Sequence, residues 1–358
     1  MAEPQEVHPH QPKSIQAGVV SMLRSNMGLQ PGERLLVVTD IPAERDWTIL
    51  PAEDLQELLE RAQLARQVAE IASLSFPQSN VEFAVFPCTR LHGSEIPKET
   101  ADRMAEVEVV VALTTYSLTH TNARSRAVEA GARFASMPGF EAVMFAPGGP
   151  MEADPLLIAS RVHLFARLLD GADQVHLCTP GGTDLRFRLE GRPGLVDDGI
   201  LNRRSTWGNL PAGEAYIVPC EGTAQGKLVV PAGWYPGLDA ELVFSFQDGR
   251  LCALGGGGQL HAQLEQWFQP GSDDPLYTRR RNLAELGIGC NHQAHNPQNV
   301  LEAEKIFGTV HLGIGDNLHM GGLVESDLHE DFLQPGVDLT LDGRLVIQGG
   351  RWLVDVTG

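Results

Sequence analysis

The first third of the chain alternates between residues at helical spacing and short apolar runs. Apolar positions recur at helical spacing over residues 14–27, and the turn residues at 28–32 end the helix that this spacing predicts. The later apolar runs contain β-branched residues and are bounded by turns, which is typical of strands buried on both faces of a parallel sheet. The predicted elements are a strand at 34–40, a helix at 53–72, a strand at 81–86, a helix at 98–104 and a strand at 107–113. This βαβαβ order predicts an open, doubly wound sheet.

The pattern changes after a predicted helix at residues 155–169. Segments 174–178 and 185–189 alternate apolar with polar residues, and Gly and Pro recur about every ten residues, as in antiparallel sheets with one solvated face. We therefore predict an α/β fold in which an N-terminal doubly wound parallel-sheet domain is followed by a β-rich α+β domain. The predicted boundaries are a disordered leader at 1–13, the N-terminal domain at 14–168 and the β-rich domain at 169–358.

Composition and charge narrow the classes of partner. The chain has 358 residues, of which 42% are hydrophobic and 20% charged, as in a globular protein with more than one core. Its formal net charge of -19 repels phosphate backbones and anionic membrane surfaces, so we expect neither nucleic acid nor a membrane as a partner. The five cysteines never form a C-x-x-C pair, and no signal peptide or membrane-spanning run is visible. We therefore expect a cytoplasmic protein without a disulfide framework.

Polar residues follow the predicted strand at 107–113, at a place where open α/β sheets bind ligands. His120 and Arg124 are candidates for facing such a crevice. The alternative is that the hydroxyl groups of this stretch cap a helix, while His120 and Arg124 pack or pair between domains. No G-x-G-x-x-G follows the first strand, and no G-x-x-x-x-G-K-[ST] occurs in the sequence. We therefore expect no nucleotide cofactor.

A glycine-rich stretch near the C-terminus carries the residues that best suit metal chemistry. His329 and Asp331 are two positions apart, so in an extended strand both project from one face, and His311 can reach them from a neighbouring strand. Two imidazoles and one carboxylate form a common site for zinc, cobalt, manganese or ferrous iron. A single strand histidine is more often a core or surface residue, but this cluster favours a metal site. The β-rich domain is therefore predicted to be the metal-binding and catalytic one.

Two glutamates are placed to complete such a site. Glu214 follows a rigid turn at the start of a predicted short strand, and Glu285 lies among apolar residues before a Gly-broken stretch. Bringing Glu214, Glu285 and Asp331 together without a cation would cost roughly 1 to 4 kcal/mol per pair at about 4 Å, depending on the effective dielectric constant. A bound dication would convert this repulsion into attraction.

Four sequence blocks, NLPAGEAYIVP, LAELGIGCN, GTVHLGIGDN and HEDF, resemble the metal-binding blocks of the aminopeptidase T family of metallo-aminopeptidases, also called thermophilic metalloproteases. The PGERLLVVTD and THTNAR stretches are similar to the shorter, divergent members of that group. The resemblance implies a homodimer with two divalent metal ions per chain, zinc or cobalt. The implied ligands are Glu214, Glu285, His311, His329 and Asp331.

One ligand of that family does not carry over. A tyrosine is expected seven residues after the histidine of the third block, and this position is Leu318. The neighbouring His319 is a sixth candidate ligand, for which a supporting or purely structural role is the alternative.

The resemblance implies an aminopeptidase that removes N-terminal residues from peptides with a water activated by two metal ions. The sequence does not identify the general base, and Glu221 and Glu330 are candidates only by proximity in sequence. The alternative is a mononuclear Fe(II) ring-cleaving dioxygenase that uses His311, His329 and Asp331. The same superfamily includes a ring-opening dioxygenase acting on a dihydroxypyridine, and a non-catalytic scaffold is the third reading. We favour the peptidase, with a peptide or other small-molecule substrate, because both additional glutamates are present.

Overall fold

The structure, a computed structural model of the chain, describes residues 15–354. The predicted disordered leader at 1–13 lies outside the described residues. The chain divides into two compact units. The first ends at Pro155 but also includes Gly199–Pro211, and the second consists of Leu156–Asp198 and the residues from Ala212 onward. The boundaries predicted from the sequence, 14–168 and 169–358, remain predictions.

Helices and strands alternate in the first unit, whereas strands dominate the second. The α-helices of the described residues are α1 (Gln16–Ser21), α2 (Asp46–Ile49), α3 (Ala52–Ser75), α4 (Lys98–Ala105), α5 (Asn122–Glu129), α6 (Pro155–Asp170), α7 (His261–Phe268), α8 (Pro275–Arg280) and α9 (Val300–Ala303). Shorter helical segments are a π-helix at Met22–Asn26 and 3₁₀ helices at Ala142–Phe145, Pro150–Glu152, Gly258–Leu260 and Leu318–Met320. The strands are β1 (Arg34–Ile41), β2 (Asn80–Pro87), β3 (Val109–Ala112), β4 (Arg133–Ser136), β5 (Gln174–Cys178), β6 (Asp184–Arg188), β7 (Leu195–Asp197), β8 (Trp207–Asn209), β9 (Glu214–Ile217), β10 (Gln225–Val230), β11 (Leu242–Gln247), β12 (Arg250–Gly256), β13 (Leu283–Gly289), β14 (Val310–Gly315), β15 (His329–Gln334), β16 (Asp338–Leu341), β17 (Arg344–Gln348) and β18 (Arg351–Trp352).

The N-terminal unit is built on a five-stranded sheet in the order β2-β1-β3-β4-β8, in which every neighbouring pair is parallel. Residues 35–38 of β1 and 109–112 of β3 are fully buried, as expected for apolar strands that are covered on both faces. The helix α3 packs against β1 and β2, and α4 packs against α5. The predicted α/β fold class, with its parallel N-terminal sheet, is confirmed.

The C-terminal unit contains two antiparallel sheets. One has eight strands in the order β12-β11-β10-β6-β5-β16-β17-β18, and the other has five in the order β15-β14-β13-β9-β7. Buried phenylalanine rings join them, because Phe332 of β15 lies 4.7 Å between centroids from Phe244 of β11, which in turn contacts Phe268 of α7 at 6.0 Å. The β-rich second half that the alternating pattern predicted is therefore present. No helix within residues 15–354 combines the length and apolar character needed to cross a bilayer.

Candidate metal centre

One face of the five-stranded sheet collects acidic and imidazole side chains from all five strands. The strands β13 and β14 carry the spacings E-x-G-x-G and H-x-G-x-G, and β15 begins with H-x-D. Because alternate residues of a strand point to the same face, each spacing keeps its polar side chains and glycines together. The antiparallel register then sets a glycine opposite each of the five predicted ligands. The pairs are Glu214 with Gly289, Glu285 and Asp331 with Gly313, His311 with Gly287, and His329 with Gly315.

Glu285 lies at the middle of this site. Its Oε1 is 3.4 Å from Nε2 of His311, and its Oε2 is 3.3 Å from Nε2 of His329. Nε2 of His311 is also 3.3 Å from Oε2 of Glu214, and Nε2 of His329 is 3.3 Å from Oδ1 of Asp331. The structure thus brings the five predicted ligands together as two groups of three that share Glu285. Within each group the candidate donor atoms lie within 4.8 Å of one another.

Glycines provide the space that these side chains occupy. A Cβ atom at Gly287 would lie 2.0 Å from Nε2 of His311. A Cβ atom at Gly313 would lie 2.8 Å from both Nε2 of His329 and Cβ of Glu285. Any larger residue at either position would displace a predicted ligand, so the glycines of the two spacings are part of the site.

The donor atoms are oriented as metal ligands require. Nδ1 of His329 is 2.6 Å from the carbonyl oxygen of Asp316. Since a carbonyl can only accept, Nδ1 carries the hydrogen and Nε2 faces the carboxylates. Within the described part of the chain, the buried carboxylate atoms Oε2 of Glu214 and Oδ1 of Asp331 have no hydrogen-bond partner. Buried acceptors without a donor are rare, and nitrogen and oxygen donors suit divalent transition metals. These residues therefore fit a divalent metal ion.

When no cation is bound, the site holds protons instead. Burial opposes the charge of His311, but the hydrogen bond to Glu285 and the charges of Glu214 and Asp331 raise its pKa to about 9. Burial likewise opposes the charge of His329, yet Asp331 and Glu285 raise its pKa well above the ordinary value. For Glu285, burial favours the neutral form, but the two histidines lower its pKa. Both imidazoles are therefore positively charged at neutral pH in the metal-free protein.

Metal binding should consequently release protons and strengthen as the pH rises. Each imidazole must lose its proton before Nε2 can bind a metal ion. We expect about two protons to be released per ion near pH 7, with an affinity that is still rising with pH at about 9. The raised pKa of His311 also stabilises the metal-free fold below about pH 6.5. This stabilisation is lost as the pH rises through about 9. Calorimetry of Mn²⁺ binding in buffers of different ionisation enthalpy counts the protons, and an affinity independent of pH would contradict the expectation.

A buried cation lies beside the site. The side chain of Lys305, in the loop after α9, is 0% exposed, and its Nζ is 2.6 Å from Oε1 of Glu214, 2.9 Å from Oε2 of Glu304 and 3.5 Å from Oδ2 of Asp197. Burial opposes the charge of Lys305, but the three carboxylates raise its pKa. Sequence reasoning missed Lys305 and Asp197, because no spacing in the chain connects either of them with Glu214.

The two candidate general bases do not join the metal-binding groups. Glu221 accepts hydrogen bonds from the side chain of Asn317 at 2.9 Å and from the main-chain N–H of Leu323 at 2.8 Å. It therefore holds the segment that follows β14. Glu330 projects from the opposite face of β15, where it accepts a hydrogen bond of 2.9 Å from the hydroxyl group of Tyr235. Burial raises the pKa of Glu330 to about 7.

His319 lies beside the site but belongs to neither group of three. Its Nδ1 is hydrogen-bonded to the carboxylate of Asp316. Its ring packs edge-on against the ring of His329, with 5.7 Å between the centroids. The structure thus places His319 next to a predicted ligand.

His120 and Arg124 belong to the N-terminal unit. The hydroxyl group of Thr121 caps α5 by accepting a hydrogen bond of 3.1 Å from the main-chain N–H of Arg124. The guanidinium carbon of Arg124 lies 4.2 Å from the ring centroid of Trp207. The hydroxyl capping that the sequence offered for this stretch is therefore present.

A sheet face with two imidazoles and three carboxylates, held in space left by glycines, defines a candidate metalloenzyme centre. A family model described as NicX, 2,5-dihydroxypyridine 5,6-dioxygenase, matches residues 28–354. This match spans most of the chain, which therefore belongs to the NicX family of enzymes.

The chain also resembles individual known proteins. The chain is 22% identical over 204 residues to the 2,5-dihydroxypyridine 5,6-dioxygenase of Pseudomonas putida KT2440, a match that covers 53% of this chain and only 57% of that relative. Among solved structures, a 2,5-dihydroxypyridine dioxygenase from Pseudomonas putida KT2440 superposes with a TM-score of 0.73 at 16% identity, over 97% of this chain and 99% of that one. Wild-type AmpT from Thermus thermophilus superposes with a TM-score of 0.61 at 16% identity, over 96% of this chain and 100% of that one. At these identities the two structures show a shared fold.

The comparisons confirm one part of the sequence interpretation and correct another. The likeness to AmpT supports the aminopeptidase T fold that the four blocks implied. The predicted chemistry, a metallo-aminopeptidase and hydrolase that uses zinc or cobalt, is contradicted because the family is that of a dioxygenase. Imidazole and carboxylate ligands serve both chemistries, so blocks that hold metal ligands identify the fold better than the reaction.

Proposed function

We propose that this chain is a dioxygenase that opens the ring of a dihydroxylated pyridine. The main support is the coincidence of the family match over residues 28–354 with a buried cluster of two histidines and carboxylates. The proposed substrate is 2,5-dihydroxypyridine or a close analogue, as the name of the curated relative suggests. The reaction breaks one ring carbon–carbon bond beside a hydroxyl group, and both atoms of dioxygen enter the ring-opened product.

His311, His329 and Asp331 would hold one ferrous ion, with Glu285 next to both imidazoles. When bound, that ion would supply the one-electron chemistry that lets dioxygen react with an aromatic ring.

The side chains of the proposed ligands differ in exposure, so one side of the site is closed to solvent and the other is open to it. His311 is 1% exposed, whereas the side chains of His329 and Asp331 are 21% and 13% exposed. A planar substrate would therefore approach from the side of β15. On the closed side, exclusion of water strengthens the interactions between the fixed charges.

The segment after β14 would position groups on the open side. The carbonyl of Asp316 holds Nδ1 of His329 and keeps Nε2 directed at the site. The carboxylate of Asp316 accepts the hydrogen bond from Nδ1 of His319. We assign to Nε2 of His319 the role of accepting a proton from a substrate hydroxyl group, because the carboxylate on Nδ1 fixes the orientation of the ring beside His329. Loss of that proton makes the ring richer in electrons and easier to oxidise.

Oxygen uptake tests the proposed function. Protein loaded with Fe(II) under anaerobic conditions and then given oxygen and 2,5-dihydroxypyridine should consume dioxygen in proportion to the ring absorbance that disappears. Loading with zinc, or the variant His329→Ala, should lower this rate by at least about 100-fold. Amino-acid release from dipeptides, with no oxygen uptake on dihydroxypyridines, would rule the proposal out.

A further inference from the structure

Lys305 places a fixed positive charge at one end of the candidate metal centre. An ammonium group has three N–H donors, and three carboxylates surround this one, from Asp197, Glu214 and Glu304. The side chain is fully buried, so water does not screen these contacts. A buried positive charge therefore lies against the same sheet face that carries the predicted metal ligands.

Glu214 connects this cation to the metal-binding groups. Its Oε1 is 2.6 Å from Nζ of Lys305, and its Oε2 is 3.3 Å from Nε2 of His311. A divalent ion bound by Glu214, Glu285 and His311 would have to share the Glu214 carboxylate with the ammonium group. Two cations held this close in a buried place repel each other strongly.

The other group of three is placed differently. Glu285, His329 and Asp331 share no residue with the carboxylates that contact Lys305. The ferrous ion proposed for His311, His329 and Asp331 would keep the attraction of Glu285 and Asp331 without taking Glu214 as a ligand. The charge of Lys305 would therefore weaken binding of a second divalent ion at Glu214, Glu285 and His311 more than binding of the first ion.

We propose that Lys305 is a built-in counter-cation that neutralises Glu214, so that the centre binds one divalent ion rather than two. This inference rests on the proposed single-iron function. Lys305 is a positioning residue, because it acts through Glu214 and not on the substrate. Glu214, neutralised by Lys305, then lies beside His311 without serving as a ligand to a second ion.

The number of ions bound per chain tests this role. Lys305→Met removes the charge and keeps most of the unbranched side chain, Lys305→Arg keeps the charge, and Lys227→Met is a matched control on the exposed surface of β10. All proteins should carry Cys178→Ser, because His176, Cys178 and Asp184 form a further group of candidate ligands on the eight-stranded sheet. Mn²⁺ content is measured by elemental analysis after gel filtration, and electron paramagnetic resonance distinguishes isolated from paired Mn²⁺ ions.

We expect a single Mn²⁺ ion per chain in the parent, Lys305→Arg and Lys227→Met proteins. Lys305→Met should bind a second one, with an affinity at least about tenfold above that of the parent for any second ion. Because Lys305→Met leaves three buried carboxylates together and can impair folding, the double variant Lys305→Met/Glu304→Gln, which removes one of them, should show the same gain.

The outcomes separate the inference from the proposed function. A single ion of unchanged affinity in the folded Lys305 variants would overturn the role of Lys305 and leave the proposed dioxygenase intact. Two tightly bound ions in the parent protein would overturn the inference and the single-iron proposal together. A parent protein that binds one Fe(II) ion but takes up no oxygen with dihydroxypyridines would remove the proposed function alone.

Discussion

Glu285→Gln is expected to weaken metal binding by at least about 100-fold and to reduce oxygen uptake with 2,5-dihydroxypyridine by a similar factor. The carboxylate of Glu285 faces both imidazoles, at 3.4 Å from His311 and 3.3 Å from His329. Glutamine has nearly the same size, but its NH₂ group would face one of the two ring nitrogens and cannot bind a metal ion. Competition with a chromogenic chelator measures the affinity, and an oxygen electrode measures the rate.

Glu302→Gln is the matched control for this substitution. Glu302 is 1% exposed, and its Oε1 accepts main-chain hydrogen bonds from His295 at 2.8 Å and Asn296 at 3.1 Å. Glutamine retains an acceptor oxygen there, and Glu302 belongs to neither group at the metal centre, so metal affinity should stay within about twofold of the parent value. Normal metal binding by Glu285→Gln would remove Glu285 from the site, whereas equal losses in both variants would point to impaired folding.

Helices and strands could be predicted where a segment was long enough for its apolar residues to show helical or strand periodicity. The predicted helix at 53–72 corresponds to α3, Ala52–Ser75, and the apolar run at 34–40 corresponds to β1, Arg34–Ile41. The strand β8, Trp207–Asn209, was missed because three residues show no period and its partner β4 lies far away in the chain. The predicted helix at 14–27 is divided between α1 and a π-helix, which such short stretches do not distinguish by spacing.

The sequence predicted those residues of the candidate site that are spaced two apart, as residues on one face of a strand are. His329 and Asp331 share a face because they are two residues apart, and the glycines of β13 and β14 follow the same period. Lys305 and Asp197 gave no such signal. A lysine between a glutamate and an isoleucine just after a four-residue helix shows no periodic signal, and only the pairing of β7 with β9 brings Asp197 beside Glu214.

The reaction could not be predicted from the ligands, because the two chemistries considered use the same donor atoms. The sequence did carry one departure from the peptidase pattern, Leu318 in place of the expected tyrosine, and in the structure this side chain is 48% exposed. The charge of Lys305 next to Glu214 is a tertiary feature that bears on the number of metal ions. Discrimination between the reactions therefore lies in the surroundings of the ligands, which depend on tertiary contacts.

Gly287→Ala is expected to disrupt the centre although it adds a single methyl group on the strand β13. That carbon would lie 2.0 Å from both Nε2 and Cε1 of His311, whose ring is 1% exposed and has no room to withdraw. We expect overpacking to lower the free energy of unfolding by about 1 to 3 kcal/mol and the displaced imidazole to weaken metal binding by at least about tenfold. Gly255→Ala in β12 is the matched control, because a Cβ atom there meets nothing within 4 Å and the change should alter stability by no more than about 0.5 kcal/mol. Denaturant unfolding and chelator competition measure the two effects, and parent-like metal affinity in Gly287→Ala would show that His311 is not held where a metal ligand must be.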